Sequence, residues 1–339
     1  MSVVTCSGCN KQISTNDKFC TSCGTPITQL QIEVTSQEAS TYFLGNARQG
    51  LNKWWVWTLG IVSILFIWQV LGSIPWVTAC EYLKATPMSQ FKCDGTQIIG
   101  DSTIPGYFLS NFGFIIGIIG IWLTVRLIHK KSLTQVVTGR ATFDYNRVIY
   151  AIWIGFLLNL VLLLLNIFIF HQDMTFRSPN PWEYLTFFLL AIVFTSYQAS
   201  FEEVFFRGYL LQGISLISSN KIVLVIAVSV LFVAAHLINP EIEAIGYTTY
   251  VTSIALMAVF FSVVTLFDGG IELAVGYHAI NNLWIILVSN TDVTPIPSPS
   301  LFELPINRVG LFPDVFMQLA LLVAILVIFN RKYRWFSWN

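Results

Sequence analysis

Eight long apolar runs punctuate the chain, each close to the roughly 20 residues that a helix needs to cross a bilayer. Their expected limits are Trp54 to Val77, Tyr107 to Ile128, Val148 to Phe170, Tyr184 to Tyr209, Ile222 to Ile238, Ile245 to Phe267, Ile271 to Ser289 and Val315 to Phe329. The fourth run stays apolar past Arg207 as far as Ile217. The stretch TPIPSPS at 294–300 reads as a loop before the last helix. The pattern predicts an all-α polytopic membrane protein of about eight transmembrane helices, and an even number places both termini on one side.

Composition supports that reading. Of 339 residues 55% are hydrophobic and 11% charged, against about 25% charged residues in soluble domains. A formal net charge of +0 argues against nucleic acid as a partner. The first run begins about fifty residues into the chain and is followed by others, so it is expected to be an anchor and not a cleaved leader. With cytosolic termini, the inner segments hold Arg48, Lys53, Arg126, Lys130, Lys131, Arg140, Arg147, Lys221, Arg331, Lys332 and Arg334. The outer loops then hold only Lys84, Lys92, Arg177 and Arg308, which is the bias expected of cytoplasmic loops.

The polar exceptions inside the runs carry the chemistry. Glu202, Glu203 and Arg207 lie in SFEEVFFRGYLLQG, where each charge costs at least a few kcal/mol unless the fold uses it. Glu203 and Arg207 are four apart and face the same way on a helix, so they can pair. Glu202 points about a hundred degrees away and is the better candidate for a general base. Downstream, LFVAAH places His236 four residues after Phe232, and GYHAINN places His278 four residues before Asn282. An imidazole and an amide one turn apart can donate to a developing oxyanion. His236 can orient water, donate to a leaving group or ligate a metal. A lone histidine on an apolar helix is more often a packing residue, but three such motifs on three successive helices point to one chamber. Depth is a difficulty: a fourth span entering at Tyr184 puts Glu202 about 27 Å along it, whereas His236 lies about 22 Å from Lys221 in the opposite direction.

The cysteines describe a separate module. Cys6 and Cys9 in CSGC, then Cys20 and Cys23 in CTSC followed by Gly24, form two thiolate pairs with the spacing of a tetrahedral zinc site. Four thiolates close the zinc shell, so residues 1–26 are expected to be a structural zinc ribbon that contacts a protein partner. Residues 27–53 then form a linker, in which Ala39, Tyr42, Phe43, Ala47 and Leu51 recur at helical intervals, as an interfacial helix or as a tether. The membrane domain occupies 54–339. Cys80 and Cys93 share the first outer loop, either as a disulfide or as two buried thiols.

EEVFFRG at 202–208, FVAAH at 232–236 and HAINN at 278–282 together resemble the EExxxR, FxxxH and HxxxN motifs of the CPBP intramembrane protease family, which includes the CAAX prenyl proteases and bacteriocin-processing or immunity proteins. TGR at 138–140 also resembles that family, and the likeness covers about 105–330. It implies that Glu202 activates water with Glu203 and Arg207 in support, that His236 assists the water, and that His278 and Asn282 stabilise the tetrahedral intermediate. The family has also been read as metal-dependent, with zinc on Glu202, His236 and His278, and both readings stand at this point. The resemblance further implies a membrane-associated protein or peptide substrate, and the ribbon suggests a bacterial cytoplasmic membrane. Two other functions compete: a non-catalytic scaffold or immunity-type protein, and a proton- or ion-coupled transporter, which also places carboxylates and His within the membrane. An aspartyl intramembrane protease lacks a second intramembrane partner for Asp268, and a rhomboid-type serine protease lacks its GxSG.

Overall fold

Several of the long helices start where a side chain takes up the N–H groups that a helix leaves unpaired at its first turn. In the computed structural model the residues described are 3–5, 12–14, 20, 22–24, 35–86, 88–93, 97–171, 173–305 and 315–335. Strands β1 (Val3–Thr5) and β2 (Gln12–Ser14) form an antiparallel pair with Val4 opposite Ile13. Helix α1 (Ser36–Gly45) opens on a capping box: the Thr35 hydroxyl accepts from the Glu38 N–H, and the Glu38 carboxylate accepts from the Thr35 N–H. A short 3₁₀ turn, Asn46–Arg48, leads to α2 (Trp54–Leu65), which runs through a π-helical turn at Phe66–Leu71 towards α3 (Ile74–Ala85). Strands β3 (Lys92–Cys93) and β4 (Ile98–Ile99) pair after it, and a disulfide joins Cys80 to Cys93 with their Cα atoms 5.3 Å apart.

Helix α4 (Ile104–Leu123) ends in a second π turn, Thr124–Ile128, before the short α5 (Thr134–Val137). Helix α6 (Tyr145–Phe168) is capped by Asp144. Strand β5 (Thr175–Phe176) precedes α7 (Pro181–Glu203), capped by Asn180, which continues through a third π turn at Val204–Leu210 into α8 (Leu211–Ser215). Then come α9 (Lys221–His236), capped by Asn220, α10 (Glu241–Ile245), α11 (Tyr247–Asp268) and α12 (Glu272–Leu287). Strands β6 (Ser289–Thr291) and β7 (Phe302–Leu304) join β5 in a small sheet, β7 being antiparallel to β5 and parallel to β6, before α13 (Phe316–Tyr333).

The chain is a mostly helical, polytopic membrane protein, but the expected eight spans are not confirmed. Six helical stretches among the described residues are long and apolar enough to cross a bilayer: Trp54–Ala85, Ile104–Ile128, Tyr145–Phe168, Pro181–Ser215, Tyr247–Asp268 and Phe316–Tyr333. The other two expected spans are α9 and α12, of 16 residues each. At 1.5 Å per residue each extends about 24 Å, short of a hydrocarbon core of about 30 Å. Helix α12 also carries Glu272, His278, Asn281 and Asn282, which belong inside a protein and not in lipid. It packs between α6 and α7, while α4 lies along α7 and α11 along α9. Phe201, Phe205, Leu224, Val228 and Phe232 fill the core shared by α7 and α9. Outward-facing Leu157 and Val161 on α6, Leu189 and Val193 on α7 and Val323 and Val327 on α13 are exposed apolar residues, the surface that lipid covers.

Helix α1 is buried against the end of this bundle at which α8 and α11 finish. Ala39, Phe43 and Ala47 are fully covered. The Ser40 hydroxyl donates to the Leu266 carbonyl at 2.6 Å, the Gln212 amide to Phe43 O at 3.1 Å, and the Asn46 amide to Thr138 O at 3.2 Å. Gly269 ends α11 with φ +75°, and a side chain there would bring its Cβ to 2.2 Å from Ser40 N, so only glycine permits both the turn and the approach. At the same end His129 donates from Nδ1 to Leu51 O at 2.8 Å and accepts at Nε2 from the Tyr209 hydroxyl at 2.6 Å. Burial pushes its pKa down to about 4, so the ring is neutral near pH 7.

Candidate active site

Arg207 is wholly buried, and its two terminal nitrogens are both hydrogen-bonded. Its Nη1 donates to Glu203 Oε1 at 3.1 Å and its Nη2 to the Ala258 carbonyl at 3.3 Å. The guanidinium carbon lies 4.2 Å from the Phe232 ring centre and 5.2 Å from that of Phe261, within the reach of a cation–π contact. Arg207 stands in the π turn that follows Glu203. Such turns take in one extra residue and recur at functional sites; this one joins α7 to α8 without breaking the helix that carries both carboxylates.

Glu203 is shared. Besides Arg207, its Oε1 lies 2.7 Å from Nδ1 of His278, whose ring stacks on Phe261 with centres 4.8 Å apart. A carboxylate paired with Arg207 is an acceptor, so Nδ1 of His278 is the protonated nitrogen and Nε2 faces the other way. His236 is held in the same sense, because its Nδ1 donates to the Phe232 carbonyl at 2.8 Å. Both Nε2 atoms point at one oxygen: Glu202 Oε2 lies 3.8 Å from Nε2 of His278 and 3.9 Å from Nε2 of His236. These separations exceed a direct hydrogen bond and suit contact through one water. The Glu202 side chain is 9% exposed and that of His236 22%, against 0% for Glu203 and Arg207. The site therefore opens at the C-terminal end of α9 and closes on a buried ion pair.

The structure brings Glu202, Glu203, Arg207, His236 and His278 together. Asn282 lies one turn beyond His278 on α12, half-buried and with no side-chain hydrogen bond among the described residues. Glu202 is not wholly free, since the Gln198 amide donates to its Oε1 at 3.4 Å. The depth difficulty came from ending the fourth span at Tyr209. The helix runs on to Ser215, and from there Glu202 is about 20 Å along it, while His236 is about 22 Å from Lys221 at the other side of the same turn. Phe232 has a larger part than spacing alone shows, touching Arg207, His236 and His278.

A second buried charge cluster lies at the turn between α11 and α12. Asp268 pairs with Arg140 at 3.2 Å and with Arg147, and accepts from the Trp335 indole at 3.1 Å, while Glu272 lies 3.5 Å from Arg140. The signal available in the sequence was TGR at 138–140 together with two acids flanking Gly269 and Gly270.

Zinc was weighed for Glu202, His236 and His278. Tetrahedral zinc with bonds of about 2.0 Å would hold its ligand atoms about 3.3 Å apart, closer than the 3.8 and 3.9 Å observed. Among the described residues no three His, Cys, Asp or Glu side chains are arranged to hold a metal ion. Of the ribbon cysteines, Cys20 and Cys23 flank a tight turn in which the Gly24 N–H donates to Cys20 O at 2.8 Å with Gly24 at φ +73°. Cys6 and Cys9 lie outside the described residues.

Comparison with known proteins agrees with this geometry. Residues 181–284, which contain every one of the converging side chains, match the family model described as Type II CAAX prenyl endopeptidase Rce1-like. That match takes in about a third of the chain. Residues 5–27, ahead of the first span, match a zinc-ribbon domain model. A relative from Bacillus subtilis (strain 168), named Uncharacterized protein YyaK, is 26% identical over 246 residues, covering 70% of this chain and 79% of its own length. No solved structure matches the chain. The Rce1-like match supports a membrane protease of the CPBP type.

Proposed function

We propose that the chain is an intramembrane endopeptidase that hydrolyses a peptide bond of a membrane-associated protein or peptide, with Glu202 as the general base. The observation that carries this reading is the convergence of Glu202 Oε2 with two imidazole Nε2 atoms at the open edge of a buried ion pair. A water held there gives one proton to Glu202 as its oxygen attacks the carbonyl carbon, and the Nε2 lone pair of His236 accepts the other O–H and aims the oxygen. The oxyanion that forms takes hydrogen bonds from Asn282 and, when His278 carries its second proton, from Nε2–H of that ring; Glu203 steadies the imidazolium through Nδ1. Glu202 then passes its proton to the leaving nitrogen and the C–N bond breaks. Arg207 holds the Glu203 carboxylate in place through its Nη1 hydrogen bond without touching substrate. The reading routes no step through a metal.

In the ribbon, Cys6, Cys9, Cys20 and Cys23 would hold a structural zinc whose closed shell supports a small fold that meets a protein partner. The termini would face the cytosol, in line with the basic residues. The decisive experiment is cleavage of a membrane-anchored substrate by the purified protein. Glu202→Gln keeps the size and hydrogen-bonding length of the side chain but accepts no proton, and the rate should fall about 100- to 10,000-fold. Equal cleavage by Glu202→Gln would overturn the assignment of the base.

A further inference from the structure

At the end of the bundle where α1 docks, a half-open cavity of about 530 Å³ lies between α1, the 3₁₀ turn after it and the turn joining α8 to α9. Two cations, Arg48 and Lys221, line it together with the hydroxyls of Ser40, Thr41, Ser215 and Ser219, and its lining contains no acidic residue. Neither cation has an acidic partner among the described residues. Lys221 donates to Ser40 Oγ at 3.4 Å and lies over the Phe267 ring, while the nearby carboxylate of Glu38 is occupied by Thr35 in the capping box. The hydroxyls of Ser40, Thr41 and Ser215 already donate to the carbonyls of Leu266, Gln37 and Gln212, so the two positive charges without an acidic partner carry the recognition, and phosphate is a group that Arg and Lys bind in this way.

The surroundings say where such a phosphate comes from. Ile217, in the turn between Ser215 and Ser219, is 88% exposed, and Ile222 beside Lys221 is 69% exposed. Trp54 and Trp55, exposed at the start of α2 just after Arg48, are aromatic residues of the kind that sit at the headgroup level. The cavity therefore sets two cations on a largely apolar lining, with exposed apolar side chains close by in the chain, as suits a site where a bilayer presents headgroups above acyl chains. We propose that it binds the phosphate of an anionic phospholipid headgroup, with Arg48 and Lys221 as the charge-bearing contacts and the acyl chains lying against Ile217 and Ile222.

The test uses the purified full-length protein in detergent, examined by native mass spectrometry during titration with phosphatidylglycerol, with phosphatidylcholine of the same chains, and with inorganic phosphate. The parent protein should retain one phosphatidylglycerol in preference to phosphatidylcholine. Arg48→Gln with Lys221→Gln should weaken that retention by about tenfold or more, since each charge-assisted bond lost is of that order, and Arg48→Lys with Lys221→Arg should preserve it. Should the glutamine pair fail to fold, Arg48→Gln alone serves, because Arg48 is exposed; it too should lose about tenfold. Lys130→Gln, a change of equal charge outside the cavity, should leave retention as in the parent. Undiminished retention by the Arg48 variants, or an equal loss in Lys130→Gln, overturns the site. Displacement of the lipid by millimolar inorganic phosphate, with no preference between the two lipids, overturns the lipid as its ligand.

Discussion

Glu203 is the residue on which the site's charges balance. It accepts from both Arg207 and His278 through one oxygen while 0% exposed, so removing Arg207 strands a carboxylate where solvent cannot screen it. Breaking one side of a buried pair typically costs about 3–5 kcal/mol, whereas replacing both members by apolar groups of similar volume can be neutral. Arg207→Met is accordingly expected to destabilise the membrane domain by about that amount, and Arg207→Met with Glu203→Leu to recover part of the loss. Thermal unfolding of the two variants in the same detergent checks this; a double variant less stable than Arg207→Met would show that Glu203 has its main stabilising partner elsewhere. At this scale much was legible beforehand. The four-residue spacing gave the Glu203 and Arg207 pair, and the cost of burying charge marked Glu202. What spacing could not show was the link from Glu203 to His278, because nothing local relates residues 75 apart in the chain.

Among the elements, apolar runs gave helix type and approximate position but not extent. The π turn at 204–210 lets the helix from Pro181 continue to Ser215, and hydropathy alone does not mark such a turn. The second gap was α1. Its helical spacing was visible, but an interfacial helix and a tether have the same sequence signature, and the docking rests on long-range contacts such as the Ser40 bond to Leu266 O and the close approach of Gly269. Gly269→Ala should strain the left-handed turn and push α1 outward, since its Cβ would stand 2.2 Å from Ser40 N and 2.3 Å from Ala39 C. The expected result is faster hydrogen exchange through Ser36–Gly45 and a loss of about 1–3 kcal/mol; unchanged exchange in α1 would mean that the two segments yield without cost.

For the whole molecule, the proposed orientation rests on charge. Basic residues concentrate at one end, and the disulfide between Cys80 and Cys93 belongs to an oxidising compartment, which the outer loop would face. Met88 is 96% exposed beside that disulfide, and Lys130 is exposed at the opposite loop. In intact cells a membrane-impermeant maleimide should label Met88→Cys and not Lys130→Cys; the opposite pattern would reverse the proposed topology. The count of spans was the less legible feature, because α9 and α12 are apolar enough to suggest crossings yet hold their polar residues for one another and for α7.

The docking of α1 also fixes how far the ribbon can stray. Only residues 28–34 separate the zinc-ribbon match from the Thr35 cap, and so short a piece of chain spans about 25 Å at full extension. Anything gripped by the ribbon is thereby kept at a local concentration in the millimolar range beside this end of the bundle. A partner too weakly attracted to the ribbon to associate stably from dilute solution would, once caught, meet the membrane surface of the protein many times before escaping.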